Sequence, residues 1–293
     1  MKFLGVILLT LAVSSTARHI TLEDVIDFEE NTAYGYHTKI GIPLADEIRK
    51  SEEDNLKPSR IIGGSIVDLE KFPYQAGLLL RLPIGTSIAG GVLISPTRVL
   101  TVAHIFNDAV SSVTTVTVVL GTINIFIAGV RLDTDEFTLH ENYNPATLRN
   151  DIAVVALPYI VAFTEFVSPV YLPIESMEEE LYDGKTALAS GYGQTSNNGI
   201  LIPAVLNYVK LTVITNEECA KVFGSFVQPT NVCASGNGNV CQGDAGGPLV
   251  VYRDTRHFLV GLSSFGIGRC ESGWPSVYTR ITSYIEWIME RIM

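Results

Sequence analysis

From Ile61 onward the chain is written in short apolar runs. QAGLLLRL, GGVLISPTRVLTVAHIF, VTTVTVVLG, DIAVVALP, YVKLTVI, GGPLVVY and HFLVGLSSFG are rich in Val, Ile, Leu and Thr, and Gly, Pro and Asn punctuate them. This texture predicts β-strands. No strand–helix alternation recurs, so a parallel α/β sheet is not expected; an all-β barrel pair or sandwich is. The chain's 293 residues suffice for one large domain or two small ones. The exception to the β texture is the end, ITSYIEWIMERIM. There Ile281, Tyr284, Ile285, Ile288, Met289 and Ile292 fall on one face of a helix, predicting an amphipathic helix packed on the body.

The N-terminus reads differently. MKFLGVILLTLAVSSTA has an early lysine, an apolar run from Phe3 to Val13, and small residues at Ser15 and Ala17. That is the pattern of a signal peptide over 1–17, which makes the protein secreted and extracellular. The run is too short to span a bilayer comfortably, and no later stretch qualifies, so no membrane anchor is expected. Residues 18–60 are rich in Glu, Asp and Lys. Within them IPLADEIRKSEEDNL predicts a short polar helix, and the apolar content is too low for a core of its own. The segment ends in KPSRIIGG, where Arg60 is a cut site for a trypsin-like protease and Pro58 favours an extended chain. We read 18–60 as an acidic propeptide and 61–293 as the main domain.

The formal net charge of -11 argues against a nucleic-acid partner, which would call for a basic face. Four cysteines, Cys219, Cys233, Cys241 and Cys270, allow three pairings in an oxidising compartment. No C-x-x-C pair or finger-spaced histidine suggests a metal, so no metal or cofactor is expected. No N-x-S/T acceptor occurs.

Three fragments carry chemistry: TVAHI with His104, NDIAVVAL with Asp151, and CQGDAGGPL with Asp244 beside a glycine-flanked turn at Ala245. Together with the RIIGG start and SSFG…C…WPSVYTR, and in this order across 61–293, they resemble the chymotrypsin-like (trypsin-fold) serine protease family. The stretch GYHTKIGIPLADEIRKSEE is also similar to the propeptides of secreted insect chymotrypsin and brachyurin-type proteases. The resemblance implies two packed antiparallel six-stranded β-barrels, a C-terminal helix and a site between the barrels. It assigns His104 as the base, Asp151 as its orienter, and the N–H groups of Gly243 and Ala245 as the oxyanion hole. The position of the nucleophile holds Ala245, which keeps its N–H but has no atom to attack a carbonyl. Losing the nucleophile of such a triad costs roughly 10⁶-fold in turnover.

The resemblance implies further roles. A specificity pocket forms from Asn239 at its base with Gly266 and Ser276. No carboxylate stands at any of the three, so an apolar or neutral polar guest is expected. Ser264 supports an extended peptide through its backbone. Cleavage after Arg60 frees the amino group of Ile61 to pair with Asp244. The disulfides are Cys219–Cys233 and Cys241–Cys270. A further family bridge, beside the histidine, is replaced by Ala89 and Ile105, and no cysteine-knotted clip module stands in 18–60.

These observations lead to a secreted, monomeric, non-catalytic serine protease homologue whose cleft captures peptides, protein ligands or protease inhibitors, as a decoy or a cofactor in a protease cascade. The alternatives are an endopeptidase with residual activity and a surface-interaction protein with a vestigial cleft.

Overall fold

The computed structural model describes residues 31–54, 65–66, 69–174, 181–194, 205–267 and 273–292. Two antiparallel sheets dominate. In the first, β2 (Gln75–Leu82), β3 (Gly85–Ser95), β4 (Arg98–Thr101), β5 (Thr115–Leu120), β6 (Val130–Thr134), β7 (Phe137–Leu139) and β8 (Ala153–Ala156) take the order β6-β5-β2-β3-β4-β8-β7. Only Asp135 and Glu136 separate β6 from β7, so one kinked stretch of chain lines both edges and curls the sheet into a barrel. The second contains β1 (Ser65–Ile66), β9 (Thr186–Gly191), β10 (Asn207–Ile214), β11 (Asn231–Ser235), β12 (Pro248–Arg253), β13 (Arg256–Phe265) and β14 (Ser276–Arg280), in the order β1-β10-β11-β14-β13-β12-β9. Its β10–β9 pairing closes a ring of six, and β1 is appended outside. The expected six-stranded barrels therefore appear, one as a closed ring with an extra short strand and the other with its sixth strand broken in two.

The apolar runs map onto these strands because Val, Ile and Leu on inward-facing positions fill two barrel interiors. Leu78, Leu80, Ile88, Leu93, Leu100, Val118 and Leu120 are buried in the first barrel, and Leu211, Val232, Leu249, Val260 and Tyr278 in the second.

Among the described residues three α-helices complete the fold. The C-terminal stretch begins as a tight turn over Ile281–Tyr284 and continues as a helix, Ile285–Ile292. Ile281, Tyr284, Ile285 and Ile288 are buried as expected, but Met289 is exposed and Trp287 is buried instead. Trp287 stacks on His140 and donates its indole N–H to Glu141 at 2.9 Å, which rotates the buried stripe toward it. A helix over Asn216–Phe223 was not foreseen, although its signal is plain: Thr215 caps it by accepting from the Glu218 N–H at 3.1 Å. The third piece is Ile42–Asp54, matching the polar helix expected there. It follows a π-helical turn, His37–Gly41. Its buried residues are Leu44, Ala45, Ile48 and Glu52, so it lies on the body and does not stand free.

Candidate active site

His104 sits in the turn that follows β4, and Asp151 lies just before β8. β4 and β8 are paired, with Thr101 opposite Ala153, so the sheet itself brings the two side chains together. The Nδ1 of His104 is 2.8 Å from Asp151 Oδ2, and the backbone N–H of His104 donates to Oδ1 at 2.8 Å. The hydroxyl of Ser264 donates to Oδ2 at 2.6 Å, and that of Thr279 to the Asp151 carbonyl, also at 2.6 Å. Asp151 is thus buried with donors from both barrels. A carboxylate accepts only, so it fixes the proton on Nδ1 and leaves the lone pair on Nε2. That Nε2 is buried and, among the described residues, has no hydrogen-bond partner.

Ala245 occupies a turn clamped between the barrels. Its carbonyl accepts from the Gly90 N–H at 2.7 Å, and the Gly246 N–H donates to the Ser263 carbonyl at 2.8 Å. Gly246 has φ +81, and a Cβ there would lie 2.1 Å from Thr101 Oγ1 and 2.3 Å from the Gly90 carbonyl oxygen. Only glycine fits. The methyl of Ala245 supplies neither donor nor acceptor.

Asp244 is buried behind the turn. Its carboxylate accepts from the N–H groups of Gly193 at 2.9 Å and Cys241 at 2.8 Å. Among the described residues no cation pairs with it. Burial pushes its pKa up to about 6, and the two N–H donors pull the other way. Arg60 and Ile61, expected to complete this arrangement, lie outside the described residues.

The pocket gathers the residues expected there. Asn239, Gly243, Ala245, Ser264, Gly266 and Ser276 line one cavity. At its base the Ser276 hydroxyl donates to Asn239 Oδ1 at 2.7 Å, and Asn239 Nδ2 donates to the Trp274 carbonyl. The base is therefore polar, neutral and internally satisfied. The Cys219–Cys233 disulfide is formed, tying the helix Asn216–Phe223 to β11. Cys241 is disulfide-bonded as well, and its expected partner, Cys270, lies outside the described residues. Ala89 and Ile105 are both fully buried.

Two features go beyond the sequence reading. The hydroxyl of Ser264, a residue expected to support a peptide through its backbone, also holds Asp151. Thr32, Tyr36 and Ile40, from the segment read as acidic and polar, line the same cavity. Tyr36 also sets its ring edge against His104, with centroids 5.4 Å apart. The spacing of Ile40, Leu44, Ala45 and Ile48 on one helix face was the available signal for a buried stripe. Among the described residues, no group of three or more His, Cys, Asp or Glu is placed to hold a metal, and no helix is long and apolar enough to cross a membrane.

A hydrogen-bonded histidine–aspartate pair between two antiparallel barrels, beside a glycine-flanked turn, can be compared with known proteins. The trypsin family model matches residues 61–288. The chain belongs to the trypsin family. Its relatives include brachyurin of Leptuca pugilator, 35% identical over 234 residues (78% of this chain, 96% of the relative), and collagenase of Hypoderma lineatum, 34% identical over 240 residues (80% and 88%). Trypsin alpha of Drosophila melanogaster is 32% identical over 234 residues (78% and 86%). A solved structure described as HL collagenase superposes with a TM-score of 0.71 at 31% identity, covering 79% of this chain and 98% of the other. The fold is thus that of the chymotrypsin-like serine proteases, and the family match begins at Ile61, the residue after Arg60.

Proposed function

We propose that this chain is a secreted, catalytically inactive member of the family that captures peptide or protein ligands, protease inhibitors among them, through its cleft, as a decoy or a protease-cascade cofactor. In this reading His104 and Asp151 are the base and orienter of a triad whose nucleophile position is Ala245. Gly243 and Ala245 form the oxyanion hole, and Asn239, Gly266 and Ser276 the specificity pocket. Residues 1–17 are a signal peptide and 18–60 a propeptide, and a trypsin-like protease cuts after Arg60 so that the Ile61 amine pairs with Asp244. The observation that carries the reading is the Nε2 of His104, unpartnered among the described residues, in a site whose turn bears a methyl where a hydroxyl would donate to that lone pair. A neutral pocket base supports apolar or neutral polar guests, since a Lys or Arg side chain would find no carboxylate there.

The test is hydrolysis of a panel of peptides with apolar and aromatic residues at the cut position. Wild type and Ala245→Ser are both cut after Arg60, stripped of the N-terminal fragment by gel filtration in moderate urea, and assayed after return to buffer. We expect a silent wild type and a revertant faster by roughly 10⁶-fold. Hydrolysis by wild type within a few hundredfold of the revertant overturns the reading. A silent revertant moves the function to an outer surface, a reading favoured by Tyr159 and Ile160, which stand 74% and 78% exposed.

A further inference from the structure

Residues 31–54 touch almost every part of the site. Asn31 forms an antiparallel bridge with Ile267. Thr32 donates its N–H to the Gly266 carbonyl at 3.3 Å, and the Gly266 N–H donates to the Thr32 hydroxyl at 3.0 Å. Gly266 is the pocket-wall residue, so the segment enters the cleft as a short added strand, the way a peptide ligand adds to a sheet edge. Ala33 is buried with Phe223, Phe265 and the Cys219–Cys233 disulfide in the second barrel's flank. The chain then turns. Gly35 and His37 donate their N–H groups to Asp108, the latter to Oδ2 at 3.0 Å. Tyr36 donates its hydroxyl to the Ile88 carbonyl of β3 at 2.7 Å while its ring lies against His104.

The helix that follows closes the rest. A Cβ on Gly41 would lie 1.9 Å from Ser87 Oγ, and a Cβ on Gly243 would lie 2.2 Å from Leu44 Cδ2. Leu44 therefore caps the glycine assigned to the oxyanion hole. At the far end Glu52, buried, accepts three consecutive backbone N–H groups, from Ile125 at 2.8 Å, Phe126 at 2.9 Å and Ile127 at 3.1 Å. Arg49 lies over the Phe126 ring. One segment thus bridges both barrels, enters beside the pocket wall, covers the histidine and the oxyanion glycine, and is pinned by a carboxylate clamp. Its path over the site is a turn and a helix, not the extended strand that a protease needs across its nucleophile position.

We propose that the cleft of the uncut protein is occupied by its own residues 31–54, a tethered ligand anchored at Gly266 and at the Glu52 clamp, and that this ligand stays in place after the chain is cut at Arg60. The inference rests on the cleft-binding reading above and names the cleft's first partner. All of these contacts lie on the N-terminal side of Arg60. Cutting there removes only the tether, and with it the high effective concentration, but none of the bonds. An outside ligand must therefore compete with a strand-and-helix peptide bearing a buried tyrosine.

The experiment uses the full secreted protein and a Tyr36→Ala/Glu52→Ala double variant, each cut after Arg60. The rate at which the N-terminal fragment leaves is followed by gel filtration over time. Wild type is expected to retain the fragment, and the double variant to lose it at least about tenfold faster. Loss from both at the same rate, fast or slow, overturns the proposal. If the double variant fails to fold, hydrogen exchange of wild type decides. The amides of Ile125, Phe126 and Ile127 are expected to stay protected after the cut, and their immediate deprotection overturns the proposal. A Kunitz-type inhibitor with an aromatic residue at the cut position separates this inference from the cleft reading. A wild type that retains its fragment, beside a double variant that has lost it and still takes no inhibitor, upholds the tethered ligand and removes the cleft reading. A fragment that leaves at once, from a cut protein that then binds the inhibitor, does the reverse.

Discussion

On the first-barrel side of the cleft, His104 is held without any covalent brace. Its position comes from the β4–β8 pairing, two hydrogen bonds to Asp151 and full burial of Ala89 and Ile105. On the second-barrel side, the pocket is framed by the Cys219–Cys233 disulfide, a second bond at Cys241, and a satisfied Asn239–Ser276 base. The histidine side rests on a polar network, and the pocket side is cross-linked. A hydrogen-bond network fails when one member goes, because its neighbours are left buried and unsatisfied. A disulfide restricts the unfolded chain and tolerates local change better. The difference teaches that the histidine side is the one where single substitutions propagate.

The largest expected effect breaks that network directly. Asp151→Ala orphans the His104 ring and backbone N–H groups and the Ser264 hydroxyl, all buried. At about 1–3 kcal/mol per stranded donor, with partial relaxation, the loss is about 4 kcal/mol. A urea midpoint unmoved by the substitution would mean that the first barrel holds His104 by packing alone.

The next effect concerns the second barrel. Asp244 carries a pKa raised by burial from 3.8 to about 6. In the uncut protein the native state keeps a proton that the unfolded chain releases between those values. This group's contribution is therefore full below pH 3.8 and is lost as pH rises through about 6, by about 3 kcal/mol in total. Asp244→Asn should remove that slope from urea midpoints measured across the window. Equal slopes in both proteins would show that the carboxylate already has a cationic partner before the cut.

The smallest effect sharpens the comparison by making the two sides alike. Ala89→Cys with Ile105→Cys, oxidised, gains about 3 kcal/mol from the cross-link and loses about 2 kcal/mol to the trimmed isoleucine. The net gain of about 1 kcal/mol is read as an upward shift in Tm. Thiols that stay free under oxidising conditions would show that the two positions no longer face each other.

Much of the fold was legible because barrel strands are buried on their inner faces and rich in branched residues. QAGLLLRL is β2 residue for residue, and the histidine and aspartate motifs sit at the ends of strands that pair. What stayed illegible was long-range. The helix at Ile42–Asp54 could be read from its own residues, but its burial could not. A segment too polar for a core of its own borrows one, and the partner surfaces around Gly266, Ile88 and Ile125 are distant in sequence. Glu52 shows the same limit. In a run of charges it looks solvated, yet three backbone N–H groups from a loop more than seventy residues away receive it. The hydroxyl role of Ser264 was illegible for a related reason: the motif marked the residue but not that its side chain reaches Asp151.

The turn around Ala245 joins Gly90 of one barrel to Ser263 of the other through its backbone and through a glycine that nothing else can replace. None of those contacts involves the side chain at 245. The joint and the reagent are therefore separable at a single position. A chain with this architecture can gain or lose a hydroxyl there without loosening the two halves, so chemistry is the most freely exchanged part of a site whose shape is the hardest to change.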